Sequence, residues 1–184
     1  FLGAAVPACP TGPTGLPCLR GYLERFVAAD DPLNNMATAR GIFLDRFAPA
    51  SHIHPIPTDA ATPDDAAARY ARELQVFYGG ATLEPSKPLF DMVLMGMGAD
   101  GHTASLVPGD AVLSVADSDV ALTGIYQNRR RMTLTYPLLN RSRRILWLVT
   151  GKEKVGMLPR LLASDASIPA GRVRQDQALV LADR

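Results

Sequence analysis

Cysteine, lysine and long apolar runs are all scarce in this chain of 184 residues. Two cysteines, Cys9 and Cys18, are too few for a disulfide framework or a four-ligand zinc site. No apolar run approaches the roughly 20 residues that a membrane-spanning helix needs. These shortages predict a soluble protein of the reducing cytoplasm that has no membrane partner.

Charge of one sign is also lacking, because 19 Lys+Arg and 18 Asp+Glu leave a formal net charge of +1. Such a balance produces no broad positive field for binding nucleic acid, so any anion site has to be local. The composition, with 47% hydrophobic and 20% charged residues, is that of a globular domain with its own core. We expect a monomer or a weak homodimer that acts on a small molecule.

Glycine and proline divide the chain into two regions. Eight of the first 22 residues are Gly or Pro, a share typical of irregular structure, and the chain opens without Met or the basic start of a signal peptide. We therefore expect an atypical, truncated or processed segment over 1–22 and a single α/β domain over 23–184.

Hydrophobic periodicity predicts alternating helices and strands in the second region. The predicted helices cover 36–47, capped by Asn34 or Asn35, 66–77, after the start signal Thr62-Pro63-Asp64-Asp65, and 152–162, kinked at Pro159. The predicted extended segments cover 52–57, 90–95, 131–136, 145–150 and 178–181, and the apolar run 90–95 indicates a central strand covered on both faces. This alternation predicts a layered α/β fold whose ligands bind beyond the carboxyl ends of the strands.

The strongest candidate site follows the strand at 90–95, where residues 96–109 read GMGADGHTASLVPG. The glycines allow the backbone to turn sharply, and Asp100 and His102 place an ionisable pair at the carboxyl end of the strand. A histidine can be neutral near pH 7 and take a proton from water, while a neighbouring carboxylate holds it in one tautomer. We therefore predict that His102 is a general base oriented by Asp100.

The same loop admits two other interpretations. Gly96, Gly98 and Gly101 spell the GxGxxG of dinucleotide sites, but Pro108-Gly109 leaves no room for the helix that such a site requires. Ser105 lies three residues after His102, yet the strand, elbow and helix of a GxSxG nucleophile are absent. We interpret Ser105 as a helix-start hydroxyl.

Several basic residues are candidates for gripping an anion. They are Arg25, Arg131, Lys152 and Lys154. His52 and His54 share one face of an extended segment, but two ligands beside Pro55 do not complete a metal site.

At residues 96–109 the chain resembles the glucosamine-6-phosphate isomerase/6-phosphogluconolactonase family, whose lactonases carry Gly-x-Gly-x-Asp-Gly-His-Thr-Ala-Ser-Leu-Phe-Pro-Gly. Val107 replaces the Phe of that pattern. The resemblance continues in order along the chain, through 24–27 (Glu-Arg-x-Val), 53–57 (Ile-His-x-Ile-Pro), 131–137 (Arg-x-Thr-Leu-Thr-x-Pro) and 148–154 (Leu-Val-Thr-Gly-x-x-Lys). Residues 31–35, which read Asp-Pro-Leu-Asn-Asn, are similar to the Asp-Ser-Asn of the family.

The resemblance implies a Rossmann-like three-layer αβα sandwich with a mostly parallel sheet, and hydrolysis of 6-phosphogluconolactone to 6-phosphogluconate without metal or cofactor. His102 and Asp100 would be the catalytic residues, and the amides of the loop, at Gly98 and Gly101, would serve the substrate and its oxyanion. Arg25 and Lys154 would hold the distant phosphate, with Arg131 as a third candidate.

The front of the chain departs from the family pattern. The family opens with a strand-helix unit and a Ser-Gly-Gly-Ser-Thr loop, which we expect to be missing or altered here, and Tyr22-Leu23 replace its Gly-Asp. Two alternatives therefore stay open: a glucosamine-6-phosphate deaminase, whose loop continues differently after Asp-Gly-His, and a non-catalytic remnant that binds a sugar phosphate.

Overall fold

The computed structural model describes residues 4–6, 19–21, 23–81, 84 and 86–183. Both cysteines lie outside these residues. Within them, no helix has the length and apolar composition to cross a membrane.

The described residues form nine strands in two sheets. In chain order the strands are β1 (Ala4–Val6), β2 (Leu19–Gly21), β3 (Leu23–Arg25), β4 (Ile53–His54), β5 (Met92–Gly96), β6 (Val120–Leu122), β7 (Arg131–Leu134), β8 (Arg144–Val149) and β9 (Ala178–Ala182). The larger sheet has the order β4-β2-β1-β5-β8-β9, and the smaller sheet has the order β3-β7-β6.

The larger sheet is mostly parallel. Strand β1 runs antiparallel to both its neighbours, β2 and β5, whereas β2 with β4, β5 with β8 and β8 with β9 are parallel pairs. Five strands therefore point the same way and bring their carboxyl ends to one edge. The predicted α/β class with a mostly parallel sheet is confirmed. Strands β1 and β2 lie within the segment for which composition predicts irregular structure, and the domain boundary at residue 22 stays a prediction.

The helical segments are short apart from one. They are α1 (Asn35–Ala39), which continues through a π turn (Arg40–Leu44) into α2 (Asp45–Phe47), then α3 (Pro63–Tyr78), α4 (Tyr136–Leu139) and α5 (Leu158–Leu162).

Helix α3 contains the predicted segment 66–77 but begins three residues earlier, within the predicted start signal, and ends one residue later. The side chain of Thr62 accepts a hydrogen bond from the Asp65 amide, Pro63 occupies the first turn, and Gly79 ends the helix in a left-handed conformation with φ of 82°. Its buried face packs into the main core, which also contains Trp147 and Met95.

Three predicted segments differ in detail. The helix at 36–47 exists and is capped by Asn34, but its π turn shifts the buried face to Ala39 and Leu44 and leaves Ile42 and Phe47 exposed. The segment 152–162 splits into a 3-10 turn (Lys152–Lys154) and α5, because Pro159 cannot continue a helix from its amino-terminal side and instead lies in the first turn of a new one.

The central strand β5 differs from its prediction in burial. Its residues alternate, with Val93 and Met95 buried and Met92 and Leu94 partly exposed, whereas the apolar run predicts cover on both faces.

Tyr70 ties α3 to the large sheet, and removing its hydroxyl should destabilise the protein. The hydroxyl is fully buried and donates to the carbonyl of Gly21 at 2.5 Å. Because Tyr70→Phe leaves that carbonyl without this donor, we expect the free energy of unfolding in urea to fall by about 1–3 kcal/mol. Val76→Ala, on the exposed face of the same helix, should change it by less than about 0.5 kcal/mol. Equal midpoints for the two variants would contradict the assignment.

Candidate active site

The loop after β5 is shaped by two glycines. A Cβ on Gly98 would lie 2.2 Å from the Cε1 and Nδ1 atoms of His102 and 2.7 Å from Oδ1 of Asp100. Gly101 has φ of 80°, and a Cβ there would lie 2.8 Å from Ile168. Because Gly98 has no side chain, there is room for the imidazole of His102. Gly101 lets the chain turn tightly between Asp100 and His102.

Asp100 and His102 form the predicted pair. Nδ1 of His102 lies 2.6 Å from Oδ1 of Asp100, and the His102 amide donates to the same oxygen at 3.1 Å. Burial raises the pKa of Asp100, but the hydrogen bonds from the amide and ring of His102 outweigh it, and the net pKa is lowered. An ionised carboxylate only accepts hydrogen bonds, so Nδ1 carries the hydrogen and Nε2 is the ring nitrogen that can take a proton.

In the free protein the amides of Gly98 and Gly101 are used within the loop, and the substrate role that the resemblance implies for them stays a prediction. The Gly98 amide donates to the carbonyl of His102 at 2.9 Å, and the Gly101 amide donates to the carbonyl of Gly98 at 3.0 Å. Both donors are used within the loop, and neither residue lines the adjacent cleft. Their contribution is to fix the position of the Asp100–His102 pair, which we call the dyad.

Ser105 is not a helix-start hydroxyl. It is fully buried in a tight turn between Thr103 and Leu106, and its amide donates to Oγ1 of Thr133 at 3.2 Å. The dinucleotide interpretation also fails, since the next helical element in the described chain is a 3-10 turn (Ala111–Ser114) rather than a long helix directly after Gly101.

Arg25 and Arg131 come together across the small sheet. Strands β3 and β7 are antiparallel, and Arg25 and Arg131 are register partners, so the two cations occupy one face of the sheet. Like charges placed directly opposite each other destabilise a sheet. Burial lowers the pKa of Arg131, and the charge of Arg25 lowers it further.

The partners of the two guanidinium groups are neutral. Arg25 donates to the carbonyl of Leu33 at 2.8 Å and to Oδ1 of Asn35 at 3.1 Å, and Arg131 donates to Oε1 of Gln127 at 2.6 Å. Within the described part of the chain, neither makes an ion pair with a carboxylate. Nε of Arg131 is buried without a hydrogen-bond partner. Two adjacent cations with unused capacity favour an anion between them.

A cleft of about 210 Å³ joins this cation pair to the dyad. It is lined by Leu23, Arg25, Asn35, Gly96, Met97, His102, Ala104, Tyr126, Gln127 and Arg131. The structure thus brings His102, Arg25 and Arg131 to one cavity with Asp100 behind the imidazole. The sequence indicated Asn35 only as a candidate helix cap and gave it no role in the site, although it lies in the segment similar to the family's Asp-Ser-Asn. Tyr126 and Gln127 had no signal beyond their position shortly before Arg131.

Lys154 is not brought into the cleft. It is only 5% exposed, it belongs to the 3-10 turn after β8, and it is not among the side chains that line the cavity. Its phosphate role stays a prediction.

A buried carboxylate holds the cation side of the cleft in place. Glu24 accepts hydrogen bonds from the amides of Arg25 (2.9 Å), Asn35 (2.9 Å) and Met36 (3.1 Å). Burial raises its pKa, although these hydrogen bonds act in the opposite direction. By binding the first turn of α1, Glu24 fixes Asn35 beside Arg25.

Among the described residues no group of three or more His, Cys, Asp or Glu side chains is placed to hold a metal ion. His54 is half-buried, and burial, followed by the charge of Arg20, lowers its pKa. The absence of a metal from the reaction remains a prediction.

The sequence of the chain matches a known protein family and curated members of it. The model of a family described as glucosamine-6-phosphate isomerases/6-phosphogluconolactonase matches residues 23–181. The chain belongs to this family. It is 40% identical over 145 residues to a 6-phosphogluconolactonase of Synechocystis, an alignment that covers 78% of this chain and 59% of that protein. The chain thus spans less than two thirds of the length of this curated relative.

Solved structures of the family share the fold. The crystal structure of a 6-phosphogluconolactonase from Thermotoga maritima matches with a TM-score of 0.73 and 30% identity, over 89% of this chain and 70% of that one. A monomeric glucosamine-6-phosphate deaminase matches with a TM-score of 0.72 and 20% identity, over 90% of this chain and 71% of that one, and this likeness concerns the fold alone.

Replacing Gly98 should break the dyad without unfolding the protein. In Gly98→Ala the new Cβ displaces the imidazole, whose movement is possible because it is the far end of a side chain. We expect the ¹⁵N shifts of the His102 ring to change from one tautomer to a mixture, while the free energy of unfolding changes by less than about 1 kcal/mol. Gly156→Ala, where nothing lies within 4 Å of the added Cβ, is the control and should alter neither quantity. An unchanged ring spectrum in Gly98→Ala would show that the glycine is not needed.

Proposed function

We propose that the chain hydrolyses 6-phospho-D-glucono-1,5-lactone to 6-phosphogluconate, in the oxidative branch of the pentose phosphate pathway and in the cytoplasm. The observation that carries the proposal is one cleft with a carboxylate-held imidazole at one end and two adjacent arginines at the other. A substrate that carries an ester carbonyl and, several bonds away, a phosphate needs a base at one end of its site and cations at the other. The 6-phosphogluconolactonase relatives support the same substrate class.

The dyad supplies the chemistry. Nε2 of His102 takes a proton from a water molecule, whose oxygen attacks the lactone carbonyl and forms a tetrahedral oxyanion. When the oxyanion collapses, the bond from the carbonyl carbon to the ring oxygen breaks, and the imidazolium returns the proton to that oxygen. Asp100 stays ionised throughout and stabilises the imidazolium through Nδ1.

The arginines supply the binding energy. Arg25 and Arg131 would grip the phosphate at the far end of the substrate, where its charge relieves their mutual repulsion. Binding energy from this remote group holds the carbonyl against the dyad. Lys154 stays a further candidate for the phosphate.

If His102 is the base, its side chain is needed for turnover. His102→Ala should lower the buffer-subtracted rate of 6-phosphogluconolactone hydrolysis by about 10²–10⁴-fold, because general base catalysis typically contributes that much. The far-ultraviolet circular dichroism should stay that of the parent chain. His54→Asn, which replaces a partly buried histidine outside this cleft, should keep the rate within about twofold.

Two further assays on the same proteins separate the alternatives. Release of ammonia from glucosamine 6-phosphate would indicate a deaminase. Thermal stabilisation by 6-phosphogluconate without lactone hydrolysis above the buffer rate would indicate a protein that binds sugar phosphates and does not turn them over.

The second prediction concerns the carboxylate. In Asp100→Asn the charge that stabilises the imidazolium and fixes the tautomer is lost, so we expect kcat to fall by about 10²-fold or more with little change in KM. Asp117→Asn removes an exposed carboxylate that lies beyond this loop, before β6, and should leave both constants unchanged. A loss confined to KM would mean that Asp100 binds substrate and does not orient the base.

A further inference from the structure

A strained turn holds two side chains over the cleft. Residues Tyr126 and Arg129 close a hairpin by hydrogen bonds of 3.0 and 3.2 Å between their backbones. The two residues inside the turn, Gln127 and Asn128, have φ of 52° and 62°, in the left-handed region that most side chains avoid. A hairpin that needs positive φ at both central positions normally uses glycine at one of them. Such strain persists where the surroundings over-determine it, and it concentrates at functional sites.

Tyr126, which opens this turn, touches both halves of the site. Its hydroxyl lies 3.5 Å from Oδ2 of Asp100, the carboxylate oxygen that His102 does not use. Its ring meets the imidazole of His102 edge-to-face, with centroids 5.8 Å apart. On the other side, the guanidinium carbon of Arg131 lies 4.7 Å from the same ring centroid.

These contacts have a mechanical consequence for the dyad. With His102 on Oδ1 and Tyr126 on Oδ2, both oxygens of Asp100 are engaged, so the carboxylate cannot rotate freely. The contact with the Tyr126 ring restricts the imidazole of His102. The cation-π contact holds the guanidinium of Arg131 at a fixed distance from the same Tyr126 ring. Gln127, the next residue of the turn, accepts from Nη2 of Arg131 at 2.6 Å and completes the connection.

We propose that Tyr126 is a positioning residue that couples the orientation of the Asp100–His102 dyad to that of Arg131. The inference rests on the proposed lactonase function for its kinetic readout, but the coupling itself is a property of the free protein. The turn, with positive φ at Gln127 and Asn128, holds Tyr126 where its ring contacts both groups.

Two substitutions separate the contributions of the ring and the hydroxyl. Tyr126→Phe keeps the contacts with His102 and Arg131 and loses one long hydrogen bond, so we expect kcat to fall by about threefold with KM unchanged. Tyr126→Ala loses every contact, so we expect kcat to fall by about tenfold or more and KM to rise as Arg131 moves. Ile125→Ala changes an adjacent side chain that is 78% exposed, and it should match the parent chain in both constants.

The ¹⁵N shifts of the His102 ring provide a readout that does not need turnover. We expect one tautomer in the parent chain and in Ile125→Ala, and a mixture in Tyr126→Ala. Wild-type kinetics in Tyr126→Ala, or an imidazole spectrum that is unchanged in it, would overturn the inference. If the parent chain hydrolyses no lactone, the spectra alone decide: a tautomer that depends on Tyr126 supports the positioning role although the proposed function has failed. If Tyr126→Ala does not fold, Tyr126→Phe decides, and a kcat equal to that of Ile125→Ala overturns the role of the hydroxyl.

Discussion

The candidate site depends on one contact, the hydrogen bond between Nδ1 of His102 and Oδ1 of Asp100. These residues are two positions apart, so the contact needs a tight turn between them. Gly101 makes this turn with a positive φ, and the absence of a side chain at Gly98 leaves room for the imidazole. Two glycines of the GxGxxG pattern, which is typical of dinucleotide sites, thus shape the loop that holds the base.

The second half of the site comes from a different sheet. Strand β5 delivers the dyad loop at its carboxyl end, whereas Arg25 and Arg131 lie opposite each other on β3 and β7. Pairing two cations in register opposes folding, and burial of Arg131 adds to that penalty. Buried Glu24 offsets part of the positive potential and anchors α1, but no carboxylate among the described residues neutralises either guanidinium directly. The fold therefore leaves the charges of Arg25 and Arg131 without a directly paired carboxylate, and an anion bound between the two guanidinium groups would reduce their repulsion.

Local signals allowed the sequence to predict much of this arrangement. The limits of α3 follow from Thr62, Pro63 and Gly79, each of which acts within one turn of the chain. The loop at 96–109 could be placed after a buried strand because its glycines and its Asp-His pair are neighbours in sequence. The features that escaped prediction depend on distant partners: the register of Arg25 with Arg131 joins residues more than 100 positions apart.

The π turn and the position of Lys154 also depend on geometry that sequence spacing alone does not predict. A π turn advances the helix by one extra residue, so the buried face of 35–47 moves to Leu44 although Ile42 and Phe47 have the spacing of a core face. Lys154 follows a strand at the correct edge of the sheet, yet the 3-10 turn buries it outside the cleft. Tyr126 shows the converse, since an inconspicuous residue in a turn reaches both ends of the site. Sequence spacing locates chemistry within an element, but the geometry between elements decides which residues share a cavity.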